Sequence, residues 1–274
     1  PASQIGLEIT SNPKVRKLSF TGSTEVGAKL MAQSAPGIKK LGLELGGNAP
    51  FIVFEDADLD AAVQGAMVCK YRNTGQTCVC ANRLLVQDSI YDEFVAKLKV
   101  AVGKLKVGNG LEEGITQGPL INADALQKVE EHIADAVRRG AQVVTGGARH
   151  ELGGNFFQPT ILSDVSCEAT IFHEENFGPV APLFRFKTEQ EAIAMANDTE
   201  FGLAAYFYSR DVGRVFRVAE ALEAGIIGVN EGIISTAVAP FGGIKSSGLG
   251  REGSKYGIDD YLEIKYLALG GIGA

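Results

Sequence analysis

Cys78 is the residue of this sequence best suited to act as a nucleophile. It ends the polar, glycine-bearing segment 73–78 (N-T-G-Q-T-C), which predicts an exposed loop. In such a loop, backbone N–H groups can stabilise a thiolate, the reactive form of cysteine. Cys69 falls on the apolar face of a predicted helix and is interpreted as a core residue, and Cys167 has no comparable context. Loop position alone leaves two interpretations of Cys78 open, a nucleophile or a small buried residue.

Glu44 is the candidate for a general base. It is a lone carboxylate in an apolar setting, at the end of a predicted strand and before Gly46 and Gly47. Removing a carboxylate from water raises its pKa toward the range in which it accepts a proton near neutral pH. Strand alternation could instead place Glu44 on the solvent side. None of the three histidines lies near Cys78 in sequence, so a Cys–His pair is neither supported nor excluded.

Two further segments could contact a ligand. Residues 22–27 (G-S-T-E-V-G) lie between a predicted strand and a predicted helix, where backbone N–H groups and the helix dipole favour an anion. The segment matches neither a GxGxxG motif nor a P-loop. An ordinary turn with Ser23 or Thr24 as helix cap is the alternative. Residues 174–179 (E-E-N-F-G-P) present two acids and an aromatic ring, which alone is typical of a surface loop.

The elements that must position these residues alternate between strand and helix. Strands are predicted at 14–20, 39–46, 50–54, 82–86 and 226–229, and helices at 25–34, 58–71, 89–103, 122–139, 188–197 and 211–223. This alternation predicts an α/β fold with a largely parallel sheet. Residues 50–54 are continuously apolar, so their strand should be buried on both faces. Residues 261–269 alternate apolar and polar, which predicts a terminal strand paired with another sheet or another subunit.

Composition narrows the class of protein. The 274 residues include 26 Lys+Arg and 33 Asp+Glu, and the net charge of −7 argues against a nucleic-acid partner or an anionic membrane surface. The longest stretch without a charged residue, Gly232 to Ile244, is too short to span a bilayer. The four cysteines form neither a disulfide framework nor a set of metal ligands. We therefore expect no metal site, no membrane partner and a cytoplasmic location.

Five segments together resemble the aldehyde dehydrogenase superfamily. In the order typical of that family they are F-T-G-S-T-E-V-G (20–27), L-E-L-G-G-N (43–48), G-Q-T-C (75–78), E-E-N-F-G-P (174–179) and P-F-G-G (240–243). The features that look most like its succinate-semialdehyde dehydrogenase branch are C-V-C (78–80), Y-R-N (71–73) and G-R-E-G-S-K-Y-G-I (250–258). The resemblance implies that family's catalytic-domain fold, with a largely parallel sheet flanked by helices.

The resemblance also implies a division into domains. Residues 1–45 correspond to the end of a Rossmann-type dinucleotide-binding domain, 46–252 to the catalytic domain and 253–274 to an oligomerisation strand and tail. The chain then represents the C-terminal portion of such an enzyme, and a homo-oligomer (dimer or tetramer) is expected. A truncated, non-catalytic oligomerising fragment is the alternative.

Catalytic roles follow from the resemblance residue by residue. Cys78 resembles the nucleophile that attacks an aldehyde carbon to form a thiohemiacetal, which passes a hydride to NAD or NADP and leaves a thioester. Glu44 resembles the base that activates water to hydrolyse that thioester. The implied reaction is oxidation of succinate semialdehyde, or of the homologous glutarate semialdehyde, to the dicarboxylate.

Binding roles are implied in the same way. Residues that resemble cofactor-binding groups are Gly22, Ser23, Val26, Gly27, Leu45, Glu175 and Phe177, with Gly22 and Ser23 at the pyrophosphate and Val26 near the adenine. Arg72 and Ser235 resemble the groups that bind the distal carboxylate of the substrate, a role that suits the planar guanidinium. Phe241 is expected to line the aldehyde tunnel.

Cys78 and Cys80 suggest a redox switch. One residue separates them, so a disulfide between them would be strained and easily reduced. The branch that this chain resembles is known for such a switch. A small core residue is the alternative interpretation of Cys80.

Overall fold

A seven-stranded sheet organises the structure, a computed structural model that describes residues 1–271 and 273. The strands are β1 (Lys17–Thr21), β2 (Lys40–Glu44), β3 (Ala49–Val53), β4 (Ala81–Gln87), β5 (Gln142–Thr145), β6 (Thr160–Ser163), β7 (Val180–Phe186), β8 (Phe201–Gly202), β9 (Ala204–Tyr208), β10 (Ile226–Val229), β11 (Ile244–Lys245) and β12 (Gly248–Leu249). The helices are α1 (Ala2–Ser11), α2 (Thr24–Ser34), α3 (Leu59–Tyr71), α4 (Tyr91–Val102), α5 (Ala123–Arg138), α6 (Thr170–His173), α7 (Glu189–Asn197) and α8 (Val212–Ala221).

The large sheet has the strand order β10-β9-β3-β4-β7-β6-β5. Neighbouring strands are parallel except for the antiparallel pair β5 and β6. Helices α3 and α4 contribute to the core on one face, and α5 to α8 contribute to the core on the other. This arrangement confirms the predicted α/β fold with a largely parallel sheet flanked by helices. No helix in the described residues has the length and apolar composition needed to cross a bilayer.

Side chains of the central strands alternate between the two cores. Phe51 and Val53 of β3 face the core that includes α3 and α4, whereas Ile52 faces the core that includes α5 to α8. All three side chains are fully buried. A strand covered on both faces has no polar side, which is why the apolar run at 50–54 is continuous and why the prediction of a doubly buried strand is confirmed.

A smaller sheet with the order β1-β2-β12 positions Glu44. Strands β1 and β2 are parallel, with Thr21 opposite Glu44, while β12 pairs antiparallel and places Gly248 opposite the same residue. The small sheet thus joins strands from both sides of the predicted boundary after residue 45. The three-part division of the chain stays a prediction.

The predicted strand at 261–269 is wrong for the chain by itself. Asp259–Tyr261 is a short 3-10 turn, and residues 262–270 have no regular secondary structure. A strand needs a neighbour to pair its N–H and C=O groups, and none pairs with this segment in the part of the chain that the structure describes. Its side chains are exposed, Ile264 completely so. Pairing with another subunit stays a prediction.

Helix α1 is an element that the sequence did not indicate. Its apolar residues Ile5 and Ile9 are one helical turn apart, but of its ten residues only Thr10 is buried. The helix lies beside α2 and β1, where the three elements border an apolar groove. This groove becomes relevant to the site described next.

Candidate active site

One cavity of about 620 Å³ brings together most of the predicted site residues. The predicted residues that line it are Gly22, Ser23, Glu44, Leu45, Arg72, Cys78, Glu175, Phe177, Ser235 and Phe241. The lining residues that were not predicted are Thr21, Gly46, Gln76, Thr77 and Val79. These are sequence neighbours of predicted residues, so the same motifs could have indicated them. Segments that are distant in the chain therefore meet around Cys78.

Cys78 follows a short stretch of left-handed backbone. The φ angles of residues 73–75 are 51°, 58° and 74°. This conformation costs a non-glycine residue roughly 1–2 kcal/mol, so it persists only where contacts offset the strain. The Thr74 hydroxyl supplies two such contacts, because it donates to the Gly118 carbonyl at 3.2 Å and accepts from the Gly118 N–H at 3.1 Å. The stretch leaves Arg72 and Cys78 both lining the cavity.

The Cys78 thiol is harder to ionise than an ordinary cysteine. Burial raises its pKa most, and the nearby carboxylates of Glu175 and Glu44 raise it further. The N–H groups of Cys78 and Val79 lower the pKa, as expected for a loop thiol, but their effect is smaller. Backbone stabilisation of the thiolate is therefore present but outweighed. A protonated resting thiol needs a base before it can attack.

Glu44 is a buried carboxylate whose two oxygens have no hydrogen-bond partner among the described residues. Its side chain is only 3% exposed, so the solvent-side alternative is excluded. Burial, followed by the charge of Glu252, raises its pKa to about 7, while Arg251 acts in the opposite direction. A Cβ at Gly242 would lie 2.9 Å from Oε1 of Glu44, so the glycine leaves room for the carboxylate. A carboxylate of this pKa can exchange protons at neutral pH.

Glu175 is held in place by a backbone hydrogen bond. Its Oε1 accepts from the N–H of Gly47 at 3.1 Å. Burial raises the pKa of Glu175 to about 7, although this hydrogen bond opposes the shift. Gly47 also lies directly against the nucleophile loop, because a Cβ there would collide with the carbonyl oxygen of Cys78. Gly47 thus contacts both Glu175 and the backbone of Cys78, and only a glycine leaves room for this close approach.

The polar residues predicted to bind a distal carboxylate share this cavity. Arg72 and Ser235 are exposed residues of the cavity wall, and Phe241 is partly buried beside them. A guanidinium and a hydroxyl in one cavity can bind a carboxylate by charge-assisted hydrogen bonds. An aldehyde that carries such a group at its far end could therefore reach Cys78.

Val26 and Gly27 lie outside the Cys78 cavity. Val26 is 42% exposed and lines the groove of about 660 Å³ bordered by α1, β1 and α2. Gly27 is buried and lines neither space. A Cβ at this position would lie 2.5 Å from the Leu45 side chain, so the glycine lets α2 pack against Leu45. The prediction that Gly27 contacts a cofactor stays a prediction.

The N-terminus of α2 lies between the groove and the cavity. Ser23 is the N-cap of this 11-residue helix, and its hydroxyl accepts from the N–H of Val26 at 3.4 Å. Gly22 and Ser23 line the cavity, while Val26 lines the groove. Unpaired amides at a helix N-terminus favour an anion. The residues present therefore fit a ligand with an apolar ring in the groove, a phosphate group at the helix end and hydroxyls near Glu175.

Cys80 lies beneath the cavity and does not line it. It is fully buried, and its thiol donates to the carbonyl oxygen of Lys70 at 3.4 Å. Burial raises the pKa of this thiol as well. This position agrees with the core interpretation of Cys80, and the redox switch stays a prediction.

A loop thiol, a buried carboxylate and a helix N-terminus therefore meet at one cavity of an α/β domain. The family model described as the aldehyde dehydrogenase family matches residues 1–267. This chain belongs to the aldehyde dehydrogenase family.

Individual relatives agree with the family. The chain is 71% identical over 271 residues to a glutarate-semialdehyde dehydrogenase of Pseudomonas aeruginosa, covering 99% of this chain and 56% of that protein. It is 70% identical over 269 residues to an NADP(+) succinate-semialdehyde dehydrogenase of Escherichia coli, covering 98% of this chain and 56% of that protein. A crystal structure described as an E. coli NADP-dependent enzyme superposes with a TM-score of 0.98 at 69% identity, covering 98% of this chain and 56% of that one. The chain thus spans about half the length of these relatives.

Proposed function

We propose that this chain supplies the nucleophile and the substrate-binding residues of an NAD(P)-dependent semialdehyde dehydrogenase. The substrate is a short aldehyde with a distal carboxylate, succinate semialdehyde or glutarate semialdehyde, and the product is the dicarboxylate. The observation that carries this proposal is that Cys78, Glu44 and Arg72 line one cavity. The names of the two relatives described above support the same substrate class.

The two ends of the substrate contact different residues of the cavity: the carboxylate meets a charged side chain, and the aldehyde meets Cys78. Arg72 and Ser235 bind the distal carboxylate, and Phe241 lines the path of the carbon chain. Fixing the far end of a short aldehyde places its carbonyl carbon near Cys78, which removes most of the entropic cost of the encounter.

Covalent chemistry begins with proton transfer from Cys78. Because Glu44 has a pKa of about 7, it can accept the thiol proton near neutral pH. The thiolate then adds to the aldehyde carbon to form a thiohemiacetal. NAD(P)+, when bound, supplies the acceptor for the hydride of that carbon. Glu44 gives the thiol proton up to solvent before the last step. The thioester left on Cys78 is then hydrolysed: Glu44 takes a proton from water, the hydroxide adds to the thioester carbon, and the C–S bond breaks, which releases the carboxylic acid and the Cys78 thiolate.

Cofactor binding uses residues on both sides of α2. The groove that contains Val26 would hold the adenine, and Gly22 and Ser23 would hold the pyrophosphate. Leu45, Glu175 and Phe177 would surround the nicotinamide riboside, with the Glu175 carboxylate accepting from ribose hydroxyls. NAD and NADP share every one of these groups, so the proposal covers both.

A non-catalytic oligomerising fragment is the second candidate. It is favoured by the exposed apolar segment 262–269. In either case we propose that this segment pairs with a second copy to form a homo-oligomer. Sedimentation of the intact chain beside a variant ending at residue 261 tests this, since only the intact chain should self-associate.

Reduced-nicotinamide absorbance tests the enzymatic proposal. The assay uses succinate semialdehyde, glutarate semialdehyde and an uncharged aldehyde of equal length, each with NAD+ and NADP+. Arg72→Ala should lower kcat/KM for the carboxylated substrates by roughly 10- to 100-fold more than for the uncharged one, because a hydrogen-bonded ion pair is lost. Equal losses on both would exclude the carboxylate role.

Ester hydrolysis separates the two candidates. An activated ester needs Cys78 and Glu44 but no cofactor, so hydrolysis that is abolished by Cys78→Ser supports a working nucleophile even where no nicotinamide is reduced. Absence of both activities favours the non-catalytic fragment.

A further inference from the structure

A ring made of hydrogen bonds and short backbone links lies beneath the cavity. It begins and ends at Lys70. This residue is the second-last of α3 and is fully buried. Its Nζ donates to Oδ1 of Asn176 at 3.0 Å and to Oδ1 of Asn82 at 3.4 Å. Both acceptors in the described part of the chain are neutral amide oxygens. Burying an ammonium group without a carboxylate partner is costly, so packing alone does not explain it.

One side of the ring runs from Lys70 to the carboxylate of Glu175. The Asn82 Nδ2 group donates to the carbonyl oxygen of Gly47 at 3.3 Å. The N–H of Gly47 in turn donates to Oε1 of Glu175 at 3.1 Å. Each donor on this path points away from the ammonium and toward the carboxylate. The carbonyl and the N–H of Gly47 belong to different peptide groups, so this side of the ring fixes position through the Gly47 backbone.

The other side of the ring closes through Asn176, the residue after Glu175. Its Oδ1 accepts from the N–H of Gly178 at 3.0 Å as well as from Lys70, and its Nδ2 donates to the carbonyl oxygen of Val180 at 3.2 Å. Both polar atoms of this fully buried amide are therefore engaged. The backbone that carries Glu175 cannot rotate unless these contacts break.

We propose that Lys70 is a positioning residue, whose buried ammonium fixes the Glu175 carboxylate in its orientation at the Cys78 cavity. Lys70 acts through Asn82, Gly47 and Asn176 and does not itself line the cavity. The use of the fixed carboxylate as an acceptor for cofactor hydroxyls rests on the proposed function. The orientation of the Glu175 carboxylate, in contrast, depends only on residues of this chain and can be tested without cofactor.

Charge and orientation can be separated because a second cation acts on Glu175. Lys128 of α5 and Lys70 of α3 both lower the pKa of Glu175 against the effect of burial, and Cys78 faces the same carboxylate from the nucleophile loop. Lys128 takes no part in the ring. Lys128→Met therefore removes a charge and leaves the hydrogen bonds, which makes it the matched control for Lys70→Met.

The amide signal of Gly47 reports both properties in one NMR titration of the intact chain without cofactor. In the unmodified chain, the Gly47 amide proton should move downfield as Glu175 ionises, with a midpoint of about 7. In Lys128→Met the midpoint should rise while the amplitude stays unchanged. In Lys70→Met most of the amplitude should be lost, because the carboxylate no longer faces this N–H group.

An unchanged amplitude in Lys70→Met would overturn the proposal and leave Lys70 with a charge effect only. If Lys70→Met does not fold, Asn82→Leu breaks one side of the ring and keeps the ammonium. A reduced amplitude there supports the proposal, and an unchanged one overturns it. The titration does not depend on turnover. A chain that shows this pattern but reduces no nicotinamide supports the ring and counts against the proposed function.

Discussion

The two carboxylates of the cavity, the buried Glu44 and the partly buried Glu175, have the same raised pKa and opposite surroundings. Burial is the main cause in both, and each has a pKa of about 7. Glu44 makes no hydrogen bond to any residue the structure describes, whereas Glu175 is held by the N–H of Gly47. Glu44 lies on the small sheet, and Glu175 lies on a loop fixed from below by Lys70.

A raised pKa therefore does not by itself identify a base. A general base must accept and release protons, which suits a carboxylate without fixed partners. A group that orients a ligand must keep its position, which suits a carboxylate with a fixed donor. Hydrogen bonding, more than the pKa, therefore supports the proposed roles of Glu44 in proton transfer and Glu175 in binding.

The largest expected effect is that of Glu44→Gln on thioester hydrolysis. Without the base, deacylation should slow by roughly 10²–10⁴-fold, since that is the usual contribution of general-base catalysis. Acylation of Cys78 by an activated ester should slow as well, because Glu44 also accepts the thiol proton, and the acyl group should then persist on Cys78, where mass spectrometry detects it. Glu175→Gln is the control and should turn over. A stalled acyl-enzyme in Glu175→Gln would erase the contrast between the two carboxylates.

Glu175→Gln should instead weaken cofactor binding. Replacing a charged acceptor of ribose hydroxyls by a neutral amide should raise the Kd for NADH or NADPH by roughly 10- to 100-fold. Fluorescence of the reduced nicotinamide measures this directly. Glu44→Gln should bind nearly as tightly as the unmodified chain, and an equal loss in both variants would contradict the division of roles.

The pH dependence of stability should also differ between the two carboxylates. A Glu44 pKa raised from 4.5 to about 7 means that the folded chain binds more protons than the unfolded chain between these values, so stability falls as pH rises through this window. At about pH 8, Glu44→Gln should raise the free energy of unfolding by roughly 1–3 kcal/mol, and the gain should vanish below about pH 4. Urea unfolding measures it. Glu175→Gln should gain less, because it also weakens a hydrogen bond, and a larger gain there would contradict this reasoning.

Cys80→Ala should have the smallest effect, and only after oxidation. In the reduced protein the change removes a buried thiol and should alter ester hydrolysis by less than about threefold. If the redox switch exists, peroxide inactivation should be reversed by a thiol reductant in the unmodified chain and become irreversible in Cys80→Ala. Inactivation that is the same in both and resists the reductant would eliminate the switch.

The sequence motifs include most of the residues that line the cavity, because these residues lie next to turns that only certain residue types permit. Leu45 precedes Gly46 and Gly47, and Phe177 precedes Gly178. Alternation of strand and helix was enough to predict the parallel sheet. The packing of Gly27 against Leu45 was not predicted, because a motif does not distinguish a glycine that contacts a ligand from one that contacts a neighbouring side chain.

Lys70 could not be recognised from the sequence. A lysine near the end of a helix is normally solvated, and lysine is almost never fully buried without a partner. Its acceptors, Asn82 and Asn176, are brought to it only by the folded sheet. The prediction of a strand at 261–269 was wrong for a related reason. Alternation of apolar and polar residues describes a single strand and gives no information on the neighbouring strand with which it must pair.

The left-handed stretch at residues 73–75 means that the nucleophile motif cannot be transplanted. Its backbone is disfavoured in isolation and is held by Gly118, and a Cβ on Gly75 would collide with the carbonyl oxygen of Gly178. A peptide that spans residues 70–80, or the same letters grafted onto another scaffold, would relax to ordinary conformations and lose the thiol's environment. The smallest portable unit of this chemistry is therefore the motif together with the two distant segments that hold its shape.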